Sequence, residues 1–187
     1  EGSRVNRDYP VRIGRDSDWA YVNCSSSHCM ALKKDGSLWT WGQNQRGQLG
    51  DGSRTDRLAP VRIGSDTWLT VSAGQYFSTG IQTNHTAWSW GDNSKKQLGF
   101  NSATPLFTEP VKFSSDADWN MITASELHSH SLAIKDDHYK TLWAWGLNDY
   151  GQLGNGNRSD VILPVHTGQS DSWLWVDAGD EYSCGIT

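Results

Sequence analysis

The chain has 187 residues, long enough for one sizeable hydrophobic core. Lys plus Arg total 16 and Asp plus Glu total 21, so the net charge is −5. With no basic run, this balance argues against a surface built to displace counterions from DNA or RNA. No apolar stretch approaches the roughly 20 residues of a membrane helix. No signal-peptide pattern is visible, although Glu1 as first residue leaves a trimmed start open. Neither nucleic acid nor membrane is therefore an expected partner. The unusual features are 11 Trp, which suit packed sheets, and 19 Gly, which suit the turns between them.

Pro10-Val11 is the first copy of a dipeptide that returns at Pro60-Val61, Pro110-Val111 and Pro164-Val165, at spacings of 50, 50 and 54 residues. Trp19-Ala20-Tyr21-Val22 is short and rich in strand formers. Cys29-Met30-Ala31-Leu32-Lys33 is a second apolar run, and Asp35-Gly36 then predicts a tight hairpin turn with positive φ at both central positions. Leu38-Trp39-Thr40-Trp41 alternates apolar and polar, the period of a strand, and places both indoles on one side, facing a neighbouring layer. Gly47-Gln48-Leu49-Gly50 reads as a tight turn, and Pro60-Val61-Arg62-Ile63 as a further strand. The same order follows from Trp68, through Trp88-Ser89-Trp90-Gly91 and Gln97-Leu98-Gly99. It follows again from Trp119, through Trp143-Ala144-Trp145-Gly146 and Gln152-Leu153-Gly154. Trp173 opens one more copy. No stretch shows a sustained helical period.

Each unit offers about four short antiparallel strands, which cannot bury both faces alone; stacking units and closing the stack into a ring does so. The expected fold class is all-β, a β-propeller of about 3.5 repeats of roughly 50 residues, in one repeat domain spanning 1–187. The units lie near 10–59, 60–109 and 110–163, with partial units at 1–9 and 164–187. Three arrangements fit a partial ring: a piece of a longer propeller, a homo-oligomer that completes the ring, or about four blades in one chain. Two-fold pairing of identical chains would give an even number of blades.

The run Ser27-His28-Cys29-Met30-Ala31-Leu32, then Asp35-Gly36-Ser37-Leu38-Trp39-Thr40-Trp41-Gly42-Gln43-Asn44, then Gly47-Gln48-Leu49-Gly50 resembles the regulator of chromosome condensation repeat. A later copy reads His130-Ser131-Leu132-Ala133-Ile134, Trp145-Gly146-Leu147-Asn148 and Gly151-Gln152-Leu153-Gly154. The resemblance covers essentially the whole chain. Departures are Cys24-Ser25 and Ala124-Ser125 for the Ala-Gly pair kept at Ala73-Gly74 and Ala178-Gly179. Phe77 and Tyr182 replace the repeat's histidine, and Lys96 stands in place of the loop glycine. The resemblance implies a propeller and a non-catalytic protein-binding scaffold. Its alternatives are a guanine-nucleotide exchange factor for a small GTPase, or a structural self-assembling repeat unit.

Few residues suggest chemistry. His128-x-His130 could aim two rings to one side, but no further ligand stands at a metal-site spacing, so no metal and no cofactor are expected. Ser25-Ser26-Ser27-His28 has no nucleophile-turn context, and Gly47–Gly50 lacks the Lys and the helix of a phosphate loop. The chain is not read as an enzyme. A light-sensing member of the family this repeat resembles carries Gly-Trp-Arg-His-Thr segments, which are absent here, so the tryptophans are read as packing residues. Cys24, Cys29 and Cys184 are an odd set, expected as buried thiols. The positions freest to vary are the turns after the Ala-Gly pair: Ser26 and Ser27, Gln75, Tyr76 and Phe77, Glu126, Leu127 and His128, and Asp180, Glu181 and Tyr182. Aromatics beside acids and small polar residues suit a protein-recognition face, with Phe77 and Tyr182 equally placed to fill the core slot of the repeat's histidine. A protein partner of unknown identity is the expected ligand.

Overall fold

The computed structural model describes residues 2–3, 5–6, 8–168 and 172–187. Glu1, Arg4, Arg7 and residues 169–171, which belong to the two partial units, lie outside the described residues. The described residues form strands and no helix. The first blade comprises β1 (Trp19–Cys24), β2 (His28–Lys33), β3 (Ser37–Gly42) and the first half of β4 (Arg57–Ala73). The second takes the other half of β4, then β5 (Phe77–Gln82), β6 (Ala87–Asp92) and β7 (Leu106–Lys112). The third is β8 (Trp119–Ala124), β9 (His130–Lys135), β10 (Leu142–Gly146) and β11 (Val161–Thr167). A two-stranded sheet, β12 (Trp175–Ala178) with β13 (Ser183–Ile186), follows. Neighbours in every sheet are neighbours in sequence, so each blade is an antiparallel meander. The chain is thus a partial propeller.

Three details differ from the sequence expectation. First, β4 runs unbroken between two blades: Arg57–Ile63 pairs with β3 and Trp68–Ala73 with β5. The bend falls at Gly64, whose φ of 57° lies in the left-handed region and whose surroundings are open. Second, Pro10-Val11 keeps the phase of the repeat but forms no strand. Its equivalents pair with a Trp-x-Trp strand, whereas no described strand pairs with Pro10-Val11. Third, the Asp-Gly turn is not of the mirror-image type. Gly36 N–H donates to Lys33 O at 2.9 Å, and Gly36 alone has positive φ, 79°. This is a type I turn closed by one left-handed residue. His85 and Lys140 fill the same position at φ of 61° and 52°.

The core lies between blades. Met30, Leu38 and Ile63 of the first blade meet Trp68, Val71 and Trp90 of the second. Ile81 and Ala87 of the second meet Trp119, Ile122 and Trp145 of the third. Leu132, Leu142 and Leu153 of the third meet Val176 and Ala178. The two tryptophans of each Trp-x-Trp strand divide this work. Trp90 and Trp145 are fully buried between blades. Trp39, Trp88 and Trp143 stay half-exposed and pack edge-on against the opening Trp of their own blade, at 5.9, 6.4 and 6.0 Å between centroids.

Candidate functional site

The innermost strands β1, β4, β8 and β12 are clasped blade to blade by one polar position. Asn23 Oδ1 accepts the Ala73 N–H at 2.7 Å, Ser72 Oγ accepts the Ala124 N–H at 3.0 Å, and Thr123 Oγ1 donates to Asp177 Oδ1 at 2.9 Å. Asn23, Ser72, Thr123 and Asp177 also line a groove of about 360 Å³, together with Leu127 and Tyr182. These four residues carry no signal in a single repeat. Only aligning the repeats shows a polar residue always preceding the Ala, or the Cys, that ends the strand.

The turns predicted to vary lie beyond the ends of these strands. Ser27 Oγ donates to Gln75 O at 2.5 Å, which joins the first turn to the second. Glu126, Leu127 and His128 of the third turn meet Asp180, Glu181 and Tyr182 of the fourth. His128 Nδ1 pairs with Asp180 Oδ1, and its Nε2 lies 3.8 Å from Glu181 Oε1. Ser26, Tyr76, Glu126, Leu127, Asp180, Glu181 and Tyr182 are exposed, while Ser27, Gln75 and His128 are half-buried. Phe77 is withdrawn into a core with Leu98, Phe100 and Phe107, so it leaves the candidate surface; Tyr182, at the equivalent position, is 64% exposed. The rim next to the groove therefore holds Glu126, Asp177, Asp180 and Glu181, with the His128 ring paired to Asp180.

The histidine slot has its own logic. His28 Nε2 lies 2.7 Å from Ser78 Oγ of the next blade, and Ser78 Oγ donates to Gln48 O at 2.7 Å. His130, Ser183 and Gln152 O repeat the relay at 3.2 and 2.7 Å. Burial holds both imidazoles neutral: His28 falls from its ordinary 6.5 to about 3, and His130 to about 4, the latter helped by the nearby His128. At His28, Phe77 and Tyr182 the residue three before the slot changes with the slot residue, whereas at His130 it is Leu127. Where the slot is His28, Ser25 Oγ lies 3.2 Å from its Nδ1. Where it is Phe77 or Tyr182, the aromatic ring lies over Gly74 or Gly179, which have no room for a Cβ. His128 and His130 thus have separate partners, and the described residues hold no group of three metal-ligating side chains.

All three cysteines depart from the expected buried thiols. Cys24 and Cys29 face each other across the β1–β2 hairpin, with Cα atoms 4.0 Å apart, and form a disulfide. The hairpin closes just beyond them through Ser25 N–H to His28 O, so they form a non-hydrogen-bonded pair, the closer of the two antiparallel spacings. Cys184 is free and exposed.

With this geometry in place, comparison with known proteins is informative. A family model described as the regulator of chromosome condensation (RCC1) repeat matches residues 35–81 and 141–186, and a second RCC1 repeat model matches 19–48, together more than half the chain. The ultraviolet-B receptor UVR8 of Arabidopsis thaliana is 29% identical over 147 residues, covering 76% of this chain and 32% of the receptor. The human E3 ubiquitin-protein ligase HERC2 is 27% identical over 182 residues, covering 89% of this chain and 4% of the ligase. Among solved structures, human WBSCR16 superposes with a TM-score of 0.78 at 14% identity, over 92% of this chain and 46% of that one. Yeast Prp20p, described with its binding to Gsp1p and histones, also superposes at 0.78, with 20% identity over 90% and 43%. The chain spans less than half the length of each of these proteins, and the structural matches establish the propeller fold.

Proposed function

Because the chain belongs to the regulator of chromosome condensation repeat family, we propose that it is a non-catalytic protein-binding scaffold that engages its partner through the rim formed by Tyr76, Glu126, Leu127, Asp180, Glu181 and Tyr182. The observation that carries this reading is the composition of that rim. Exposed aromatic and aliphatic side chains stand beside carboxylates, over a groove that the blade clasps hold open. The aromatics supply contact area at low entropic cost, and the carboxylates select a partner that presents Lys or Arg. The relatives support the class: yeast Prp20p is described with the protein partners Gsp1p and histones, and with bound Kap60. An exchange factor for a small GTPase is the second reading and rests on that likeness. A homo-oligomer is the third, favoured by the apolar outer face of the first blade.

Affinity capture with the wild-type chain, Tyr76→Ala and Asp180→Ala tests the first reading. Both side chains are exposed, so each variant should melt within about 0.5 kcal/mol of wild type while losing roughly ten-fold in affinity for the captured partner. A partner retained equally by all three chains would move the binding surface elsewhere. Nucleotide release from a panel of small GTPases, unaccelerated by the chain, would remove the second reading, and a monomer in sedimentation would remove the third.

A further inference from the structure

The opening Trp of each blade and the first Trp of its Trp-x-Trp strand form an edge-on pair, and two of these pairs hold a lysine. Lys33 Nζ stands 5.1 Å from the Trp19 ring and 4.9 Å from the Trp39 ring, and Lys135 Nζ stands 4.7 and 4.8 Å from those of Trp119 and Trp143. At such distances the ring quadrupole attracts a cation. Two carboxylates complete each cage. Asp16 and Asp18 lie 2.7 and 3.3 Å from Lys33 Nζ, and Asp116 and Asp118 lie 2.5 and 3.2 Å from Lys135 Nζ. In both blades the lysine is the register partner of the opening Trp.

The second blade keeps the ring pair and changes what surrounds it. Trp68 and Trp88 lie 6.4 Å apart at 71°, against 5.9 Å and 78° for Trp19 with Trp39, and 6.0 Å and 72° for Trp119 with Trp143. The register partner of Trp68 is Gln82, whose side chain is shorter than that of lysine and uncharged. No described Lys or Arg lies over either ring. Before Trp68, where the other blades have an aspartate, stands Thr67, whose hydroxyl is engaged with Thr83 Oγ1 at 2.7 Å. A groove of about 340 Å³ opens here, lined by both indoles and by Asp51, Asp66 and Glu109, and among the described residues Arg62 is the one cation in its wall. Asp51 is paired with Arg57 at 2.6 Å. Asp66 and Glu109 therefore outweigh Arg62, and the groove is net negative.

We propose that this groove binds a trimethylammonium group, held by Trp68 and Trp88 as the lysines are held in the first and third blades. Those two cages show that the ring pair accepts a cation in this fold. Thr67 decides which cation. A primary ammonium carries three N–H donors that need acceptors, and each caged lysine has a carboxylate pair beside it. A trimethylammonium has no N–H to satisfy. Ring faces and a net negative surround are enough to hold it, which is the basis of aromatic cages for choline and methylated lysine. Free choline and a trimethyllysine on a protein bear the same group, and the experiment below separates them. The rim assigned above lies past Ala73, at the far end of the strand segment that Trp68 opens, so either site can fail alone.

Choline, its neutral tert-butyl analogue, and a peptide carrying one trimethyllysine or the unmodified lysine, each titrated into the 187-residue chain, test this by NMR of the indole N–H groups. Saturable shifts at Trp68 and Trp88 are expected with choline, with the trimethyllysine peptide, or with both. The tighter of the two identifies the source. The neutral analogue and the unmodified peptide should each bind roughly five-fold more weakly than their trimethylammonium counterparts. Gln82→Lys supplies the cation from the chain itself and should abolish binding, while Gln82→Met, which adds no charge, should keep it. Trp88→Leu, which removes one ring, should weaken binding by roughly five-fold or more. No saturable shift with either trimethylammonium probe would overturn the proposal. So would equal binding of the neutral analogue or of the unmodified peptide, or binding undiminished in folded Gln82→Lys or Trp88→Leu.

Discussion

His28 and His130 are core groups whose behaviour is opposite to that of a surface histidine. Their folded values lie below the ordinary 6.5, near 3 and 4, so the folded state binds fewer protons than the unfolded state between those limits. Stability from this source is complete above about pH 6.5 and is lost as pH falls toward 4, by up to about 1.4 kcal/mol per pH unit for each residue. Urea melts of His28→Phe across this range should show a shallower decline. At pH 7 the variant should be less stable by about 1–2 kcal/mol, because the bond to Ser78 is lost; an unchanged slope would mean that His28 is protonated in the native state. Phe77 shows that the slot accepts a ring without a nitrogen. A second residue-scale prediction concerns Cys24 and Cys29. Their disulfide closes a short loop, so reduction should cost no more than about 2 kcal/mol, measured as the shift in urea midpoint with and without reductant. The histidine slot was legible from repeat phase alone. The disulfide was not, because an odd cysteine count says nothing about register, and only pairing β1 with β2 places Cys24 opposite Cys29.

At the scale of the element, the strands were legible because alternation and the Trp-Gly and Gln-Leu-Gly markers recur in one phase. The turns were less so, because Asp-Gly serves more than one turn type and the choice depends on how many residues the hairpin leaves unpaired. Lys96 is a sequence departure whose cost can now be assigned. It holds φ of 62°, where Gly47 and Gly151 occupy the same turn position at 75° and 86°. Its ammonium bonds Ser102 O at 2.7 Å, a partial offset. Lys96→Gly should therefore stabilise the chain by about 1 kcal/mol, since a left-handed non-glycine residue costs about that much; a lower thermal midpoint would show that the Ser102 contact outweighs the strain. A covarying device at the other end of the blades escaped sequence reading. Lys135 lies over the rings of Trp119 and Trp143 at 4.7 and 4.8 Å and pairs with Asp116 and Asp118 at 2.5 and 3.2 Å. Lys33 repeats this with Trp19, Trp39, Asp16 and Asp18. In the second blade the Lys is Gln82 and the residue before the opening Trp is Thr67, so the acid disappears together with the cation it would pair.

For the molecule as a whole, stability should be graded along the chain, because each blade contacts only its neighbours. β5 and β9 are buried along their whole length, between blades joined by crossing indoles, Trp90 Nε1 donating to Gln48 O and Trp145 Nε1 to Gln97 O, each at 3.0 Å. β1 is not: Tyr21 and Val22 are 44% and 61% exposed. They line a groove of about 480 Å³ with Val11, Ile13 and Trp41. Trp41 is the counterpart of Trp90 and Trp145, and no described turn accepts its indole. At the other end, β12 and β13 form a two-strand sheet with Trp175, Tyr182 and Ile186 exposed. Counting repeats made the incomplete ring legible; which surfaces it uncovers depends on which indole crosses to which turn, and that is visible only in three dimensions. Native-state amide exchange should therefore give the highest opening free energies in β5, β6 and β9, with β1, β12 and β13 lower by about 2–3 kcal/mol. Trp90→Phe, which removes one crossing bond inside the molecule, should cost about 2 kcal/mol. It should also bring β2 and β3 down toward the level of β1, because it loosens the interface that holds the first blade to the second. Uniform exchange in the wild-type chain would instead mean that all blades open together, and that covering the free faces adds nothing to local stability.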